Sequence, residues 1–418
     1  MRSILIVILA VRGFTACGQV DSTITPFLIA PKCDEVPGIL VVDTTVLDHY
    51  SGPAKWCHPN GNLMRRCAYV DGKREGVFFL YYESGQLQAT SSHVGGNLEG
   101  RYLGFHPNGQ PSQAVTMVNG KKEGEQVVYS ESGDVHARNT FVNDTLQGES
   151  ILYFANGRIN TQAVYVNNKL EGEFLEYHSN GDLYIKCHYV NGKLEGEYLE
   201  YYPGGALWKQ ANYKEGLEEG EQLHFYQSGQ LQYKSNSSAG KANGYWLEYY
   251  ENGQLSVKQL LGDEIENGES LEYYDNGQLW KKENYIDGVR EGEQLKYFRN
   301  GQLEEKVNLL HGNRHGEELL YFENGHLRSK RNFDHGQGAG EELWYHENGK
   351  LALKFNSVDG ISEGEQLSFH ENGQLKEKTT YVNHHPEGES FFYDKKGKEI
   401  KVLTYKNGVV IDCRGDCD

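Results

Sequence analysis

An all-β fold, a single elongated antiparallel β-meander of about fifteen 24-residue hairpin repeats, is what this sequence predicts, on three observations. Glycine recurs with an unbroken 24-residue period, and aromatic and aliphatic residues keep fixed offsets around each of those glycines. Composition also favours strands and tight turns over helices, with 50 glycines and 29 tyrosines against 3 methionines in 418 residues.

The first residues form a separate element. Met1-Arg2 precedes the apolar run from Ser3 to Val11, too short to span a bilayer and suited to the core of a signal peptide. Phe14-Thr15-Ala16-Cys17 follows. Small residues before a cysteine resemble the lipobox of bacterial lipoproteins, which implies that Cys17 is lipidated and becomes the mature N-terminus. Phe14 in place of Leu, and Arg12 at the end of the apolar run, depart from that pattern. The expected organisation is a signal peptide over 1–17, a linker and cap over 18–49, the array over 50–410 and a tail over 411–418. The expected location is the bacterial outer membrane or cell surface as a lipoprotein, or otherwise the periplasm or medium. Setting Cys17 aside leaves six cysteines, Cys33, Cys57, Cys67, Cys187, Cys413 and Cys417, an even number that suits export, with no zinc spacing among them.

In the array, glycine occupies Gly61 and every twenty-fourth residue to Gly397, and a second column runs from Gly52 to Gly388, often inside Glu-Gly-Glu as at Glu195-Gly196-Glu197. With each glycine of the first column as position 0, the text around it reads Tyr-Tyr-x-Asn-Gly-Gln-Leu, as in Tyr249 to Leu255. Asn-Gly between apolar alternations is a hairpin signal, because glycine takes positive φ without steric cost. Position −4 is aromatic in every repeat except at Cys57, position −6 is mostly Leu, and position +2 is Leu or a near equivalent except at Pro111 and Glu399. A three-residue loop of type I with a bulge pairs −4 with +2 and −6 with +4, which puts these three columns on one face; it is preferred to a two-residue loop, which would split them across faces. Tyr273, Leu271 and Leu279 are then expected on a buried face, with Glu272 at −5 and Lys282 at +5 pointing to solvent. A second turn, as at Val190-Asn191-Gly192-Lys193, returns the chain to the next hairpin. The ends are expected to cap the stack, Gly38 to Asp48 as a half-repeat and Tyr405 to Gly408 leading into a short last strand.

The text from Tyr189 to Leu207, Tyr-x-Asn-Gly-Lys-x-x-Gly-Glu followed by Tyr-Tyr and a Gly-x-Leu turn, resembles the MORN-repeat variant of bacterial proteins, a set that includes the YwqK-like antitoxins. The resemblance covers about residues 50–410. It implies an elongated hairpin array used in protein or membrane association, with no catalytic residues to carry over and no cofactor.

Chemistry is sparse. A Gly-x-Ser-x-Gly elbow, a phosphate-binding Gly-x-x-x-x-Gly-Lys-Ser/Thr loop and His-Glu-x-x-His are all absent from the sequence. A net charge of −18 and a mean hydropathy of −0.68 disfavour nucleic acid as a partner. His106, His178, His346 and His370 share position −3, where they stand as surface substitutes for Tyr, and the turns that hold His311 and His315 read as variable. Two weaker binding candidates remain. Arg414-Gly415-Asp416 lies between Cys413 and Cys417, a possible disulfide-closed turn that resembles an integrin-binding loop. Trp208 and Trp280 at position +3 could anchor an interface. The expected function is non-catalytic: an exported scaffold for an unidentified protein or envelope component, with toxin neutralisation as the alternative.

Overall fold

The computed structural model describes residues 29–40 and 47–417. The apolar leader, Cys17 and part of the expected cap lie outside the described residues, so the lipidation site has no structural account. The described chain is all-β, with its strands antiparallel in hairpin order apart from the short parallel pairing of Ile39–Leu40 with Gly52–Cys57, and it has a 3-10 turn at Cys33–Glu35. Among the described residues no helix is long and apolar enough to cross a membrane.

Two kinds of turn alternate. At the Asn-Gly turn only the glycine has positive φ, as at Gly253 (φ +83°), and Gly253 N–H donates to the Tyr250 carbonyl while Tyr250 N–H donates to that of Gln254. This is the expected type I turn with a glycine bulge. The Asn at −1 works twice: Asn252 Oδ1 accepts the Gln254 amide, and its Nδ2 donates to the Asp275 carbonyl of the next repeat. At the second turn both central residues have positive φ, as at Asn191 (φ +52°) and Gly192 (φ +80°), and Val190 pairs with Lys193. That is the two-residue turn whose twist matches its strands.

The register corrects one expectation. Tyr273 pairs with Leu279 (−4 with +2), but Glu272 then pairs with Lys281 and Leu271 with Lys282, because Trp280 at +3 is an extra bulged residue. One residue of slip exchanges the faces. Position −6 therefore faces +5 rather than +4, and Lys282 lies on the same side as Leu271. Glu272 lies on the opposite side, paired to Lys281 at 3.2 Å. Leu271, Tyr273 and Leu279 are half-buried, as are Glu272 and Lys282, so the sharp division into buried and solvated faces does not hold here.

The contacts group into two units, residues up to 207 with 213–217, and residues 208–212 with 218–418. In the first unit the −6, −4 and +2 columns are fully buried near the start. Leu63, Tyr81, Leu87, Leu103 and Phe105 are at most 2 % exposed, packed with Cys33 and Val36 of the N-terminal segment. A disulfide joins Cys33 to Cys57, the one residue that replaces the −4 aromatic. The opposite face is closed at this end by Leu47 over Ala54, Trp56, Cys67 and Tyr69. Further along the first unit the most buried row is made of positions −7 and +6, where small and large side chains alternate across strands. Ala163 (3 % exposed) lies between Ser150 and Phe174, and Cys187 (4 %) faces Phe174. Cys67 and Cys187 remain free thiols in this row, so the even cysteine count does not resolve entirely into disulfides, and burial pushes the Cys187 thiol up to about 11. In the second unit the same row turns polar, with Gln222, Ser235, Ser270, Gln294, Glu318 and Ser390 all buried. The last strand, Val409–Gly415, caps this unit by pairing with Glu399–Lys406.

Candidate functional site

Three ladders, each linking residues at a fixed spacing, run along the array; the first ties one repeat to the next, and the other two join the two strands of one repeat. The first is made by position −3, where a tyrosine hydroxyl or a histidine Nε2–H donates to the −4 carbonyl of the following repeat. Tyr226, Tyr250 and Tyr274 do so at 2.8–3.0 Å, and His106, His178, His346 and His370 at 2.9–3.0 Å. The histidines thus stand in for tyrosine as donors.

The second ladder explains the first Glu of Glu-Gly-Glu, at position −10. Its carboxylate accepts the amide of the positive-φ residue at +10: Glu99 from Asn119, Glu123 from Asn143, Glu171 from Asn191 and Glu195 from Glu215, at 2.7–2.9 Å. The glycine between the two acids also has positive φ, as at Gly196 (φ +79°), a region open to glycine at little cost. The third ladder uses the second Glu, at −8. It pairs with the cation at +5 in Arg138–Glu125, Lys186–Glu173, Lys282–Glu269, Lys306–Glu293, Lys330–Glu317 and Lys354–Glu341 at 2.6–3.1 Å, and also in Lys234–Glu221 and Lys378–Glu365. Where −8 is Tyr245, Lys258 lies 4.7 Å from the ring centroid, a cation–π contact in place of the ion pair.

Position +9 borders this ladder on the same face. In six consecutive repeats of the first unit it is an exposed valine: Val70 (51 %), Val94 (57 %), Val118 (39 %), Val142 (42 %), Val166 (38 %) and Val190 (37 %). In the second unit Ile286, Val358 and Val382 repeat the feature. Sequence reasoning missed this column because a valine before a turn reads as ordinary strand composition, and its exposure depends on the register.

The singled-out binding residues are not brought together. Arg414 sits in the last strand opposite Val402 and pairs with Glu389, while Gly415 (φ +92°) lies opposite Lys401 and the Asp416 amide donates to the Ile400 carbonyl. Cys413 and Cys417 form a disulfide with Cα atoms 6.0 Å apart. The Arg-Gly-Asp tripeptide is therefore woven into the capping strand rather than presented on a free loop. Trp208 is half-buried edge-on to His224 at 5.6 Å, and Trp280 is half-buried beneath Lys281 at 3.9 Å, so both rings already have partners within the sheet.

Comparison with solved structures gives matches to toxin-complex chains. A crystal structure of TcdB2-TccC3 is 11% identical over 86% of this chain and 27% of that one, with a TM-score of 0.16. A second, lacking the hypervariable C-terminal region, is 13% identical over 86% and 23%, with a TM-score of 0.14. The chain spans about a quarter of the length of these structures, and at such scores the likeness carries no argument. No curated protein matches in sequence. The MORN repeat variant family does match, over residues 74–94, 170–191, 194–215, 218–238, 242–260, 266–287, 290–311, 314–335, 340–359 and 362–383, each span covering parts of the ladders just described. On that match, over half of its length, the chain belongs to the MORN repeat variant family.

Proposed function

We propose that the chain is a non-catalytic, exported binding array that holds a protein partner of the cell envelope along the face carrying the +9 valines. The observation that supports this reading is the run of six exposed valines in consecutive repeats, two of which also carry the charge pair between positions −8 and +5. An isolated exposed valine needs no explanation, but a register-locked column repeats the apolar contact with every hairpin. Beside Val142 and Val190 the pairs Arg138–Glu125 and Lys186–Glu173 add polar groups of the kind that surround an apolar contact strip. The same membership is compatible with membrane association, and the apolar leader with a lipid anchor at Cys17.

The test has two parts. Cells expressing the full chain are fractionated, with Cys17→Ala alongside, and neighbours are identified by crosslinking. Envelope recovery lost on Cys17→Ala supports the anchor, whereas cytosolic recovery with a co-encoded toxin would replace this reading with toxin neutralisation. Val118→Lys, Val142→Lys and Val166→Lys are then combined. Loss of the crosslinked partner with an unchanged melting curve supports the valine face as the interface, and undiminished capture overturns it.

A further inference from the structure

In the repeat around Gly325 the link between positions −10 and +10 is replaced in a chemically specific way. There position −10 is His315 rather than Glu, and positions +9 and +10 are Asp334 and His335 rather than a valine and an asparagine. The three side chains converge. His315 Nδ1 is 3.3 Å from Asp334 Oδ1, His335 Nδ1 is 2.7 Å from the same oxygen, and the two rings are 5.5 Å apart. One ligand atom from each of the three residues lies within 4.8 Å of the others, and all three side chains are exposed. Two imidazoles and one carboxylate brought together across a hairpin form a three-donor set of a kind that binds transition metals.

We infer that His315, Asp334 and His335 form a binding site for a divalent transition metal of the zinc class, with a fourth position open to water or to a donor from a partner. Nitrogen-rich donors of this kind suit Zn²⁺, Co²⁺ or Ni²⁺ rather than Ca²⁺ or Mg²⁺, which prefer oxygen ligands. The neighbouring cation does not compete for Asp334, because Arg314 is turned to Glu318 (3.1 Å) and Glu305 (4.0 Å). His311, in the adjacent turn, lies nearer Glu291 (3.9 Å). A bound ion would tie the start of strand Asn313–Tyr321 to the end of Leu327–Asp334. In repeats such as those around Gly181 and Gly301 a Glu at −10 makes that link by accepting a turn amide.

The test uses the full chain without a polyhistidine tag, stripped with chelator and titrated separately with Zn²⁺ and Co²⁺. The sequence has 16 histidines, so the site is read as a difference between proteins. His315→Gln and His335→Gln should each remove one equivalent of Zn²⁺, weakening the tightest site by more than about tenfold, and abolish visible Co²⁺ bands of a nitrogen-liganded ion. His346→Gln, which removes a ring bonded to a backbone carbonyl, should leave that equivalent in place. Zn²⁺ should raise the melting temperature of the unsubstituted chain and not of the His335→Gln chain, while Ca²⁺ and Mg²⁺ raise neither. Equal stoichiometry and affinity in all the chains overturns the site. Should a variant fail to fold, imidazole NMR of the unsubstituted chain decides: Zn²⁺ must shift the His315 and His335 ring signals first, and failure to do so overturns the inference.

Discussion

The carboxylate of Glu171 accepts the amide of Asn191 at 2.7 Å, across the twenty residues that separate the start of one hairpin from the turn that follows it. Asn191 has φ +52°, which a non-glycine side chain adopts only with support, and its amide faces away from its own hairpin ladder. Glu171→Ala is expected to destabilise the surrounding repeats by about 1–2 kcal/mol, since it removes a charge-assisted acceptor from a backbone donor. Glu171→Gln should recover more than half of the loss, because Gln147 makes the same bond to Asn167 at 3.0 Å. Chemical denaturation of the three proteins checks this. Equal stability of the alanine and unsubstituted chains would show that the ladder contributes nothing.

The charged ladder and the packed row should differ sharply in cost. Lys282–Glu269 is a surface pair with side chains 35 % and 45 % exposed, so Lys282→Ala should change stability by less than about 1 kcal/mol, and less at high salt. Ala163 is 3 % exposed between Ser150 and Phe174, and Ala163→Leu should cost about 1–3 kcal/mol by overpacking. Parallel urea titrations at two salt concentrations separate the two effects.

Glu318 is fully buried and pairs with Arg331 and Arg314. Removing one partner from a buried pair costs more than the pair contributes, because it leaves an uncompensated charge. Arg331→Ala is therefore expected to lose about 3–5 kcal/mol. The joint replacement Glu318→Gln with Arg331→Leu should be much milder, matching the buried Gln294 and Val307 in the same row. A double-mutant cycle by thermal melting measures the coupling, and additive single effects would refute it.

Period, turn positions and fold class were legible in the sequence, because glycine and Asn-Gly carry their backbone requirement in their chemistry. The pairing of Tyr273 with Leu279 was legible too. What could not be read was the bulge at Trp280, since the same side-chain text fits a bulged and an unbulged strand, and that one residue moves Lys282 to the side of Leu271. The −7/+6 row went unnoticed for a related reason: Ala163, Cys187, Ser270 and Glu318 share no residue type, only a place. The roles of Glu171 and of His315 with His335 follow from contacts twenty residues apart that only the register reveals.

His224 is expected to make the stability of the second unit depend on pH. It is 8 % exposed, stacked on Tyr233 at 4.0 Å, hydrogen-bonded to the Tyr233 hydroxyl at 2.6 Å and edge-on to Trp208. Burial, aided by the nearby charge of Lys209 and opposed by Glu218, pulls its imidazole down from 6.5 to about 4. Between those values the unfolded chain binds the proton and the folded chain does not, so stability rises with pH across that window. The contribution is complete above about pH 6.5 and is lost as pH falls toward 4, amounting to about 3 kcal/mol at most for a shift of this size. In the first unit burial lowers the His93 imidazole in the same direction. Melting curves of the full chain from pH 7 to pH 4 should therefore show progressive loss of stability. His224→Phe, which keeps a ring in the stack and removes the titrating group, should flatten that part of the loss carried by the second unit. An identical pH profile for the two proteins would mean that His224 binds its proton equally well in the folded and unfolded chains.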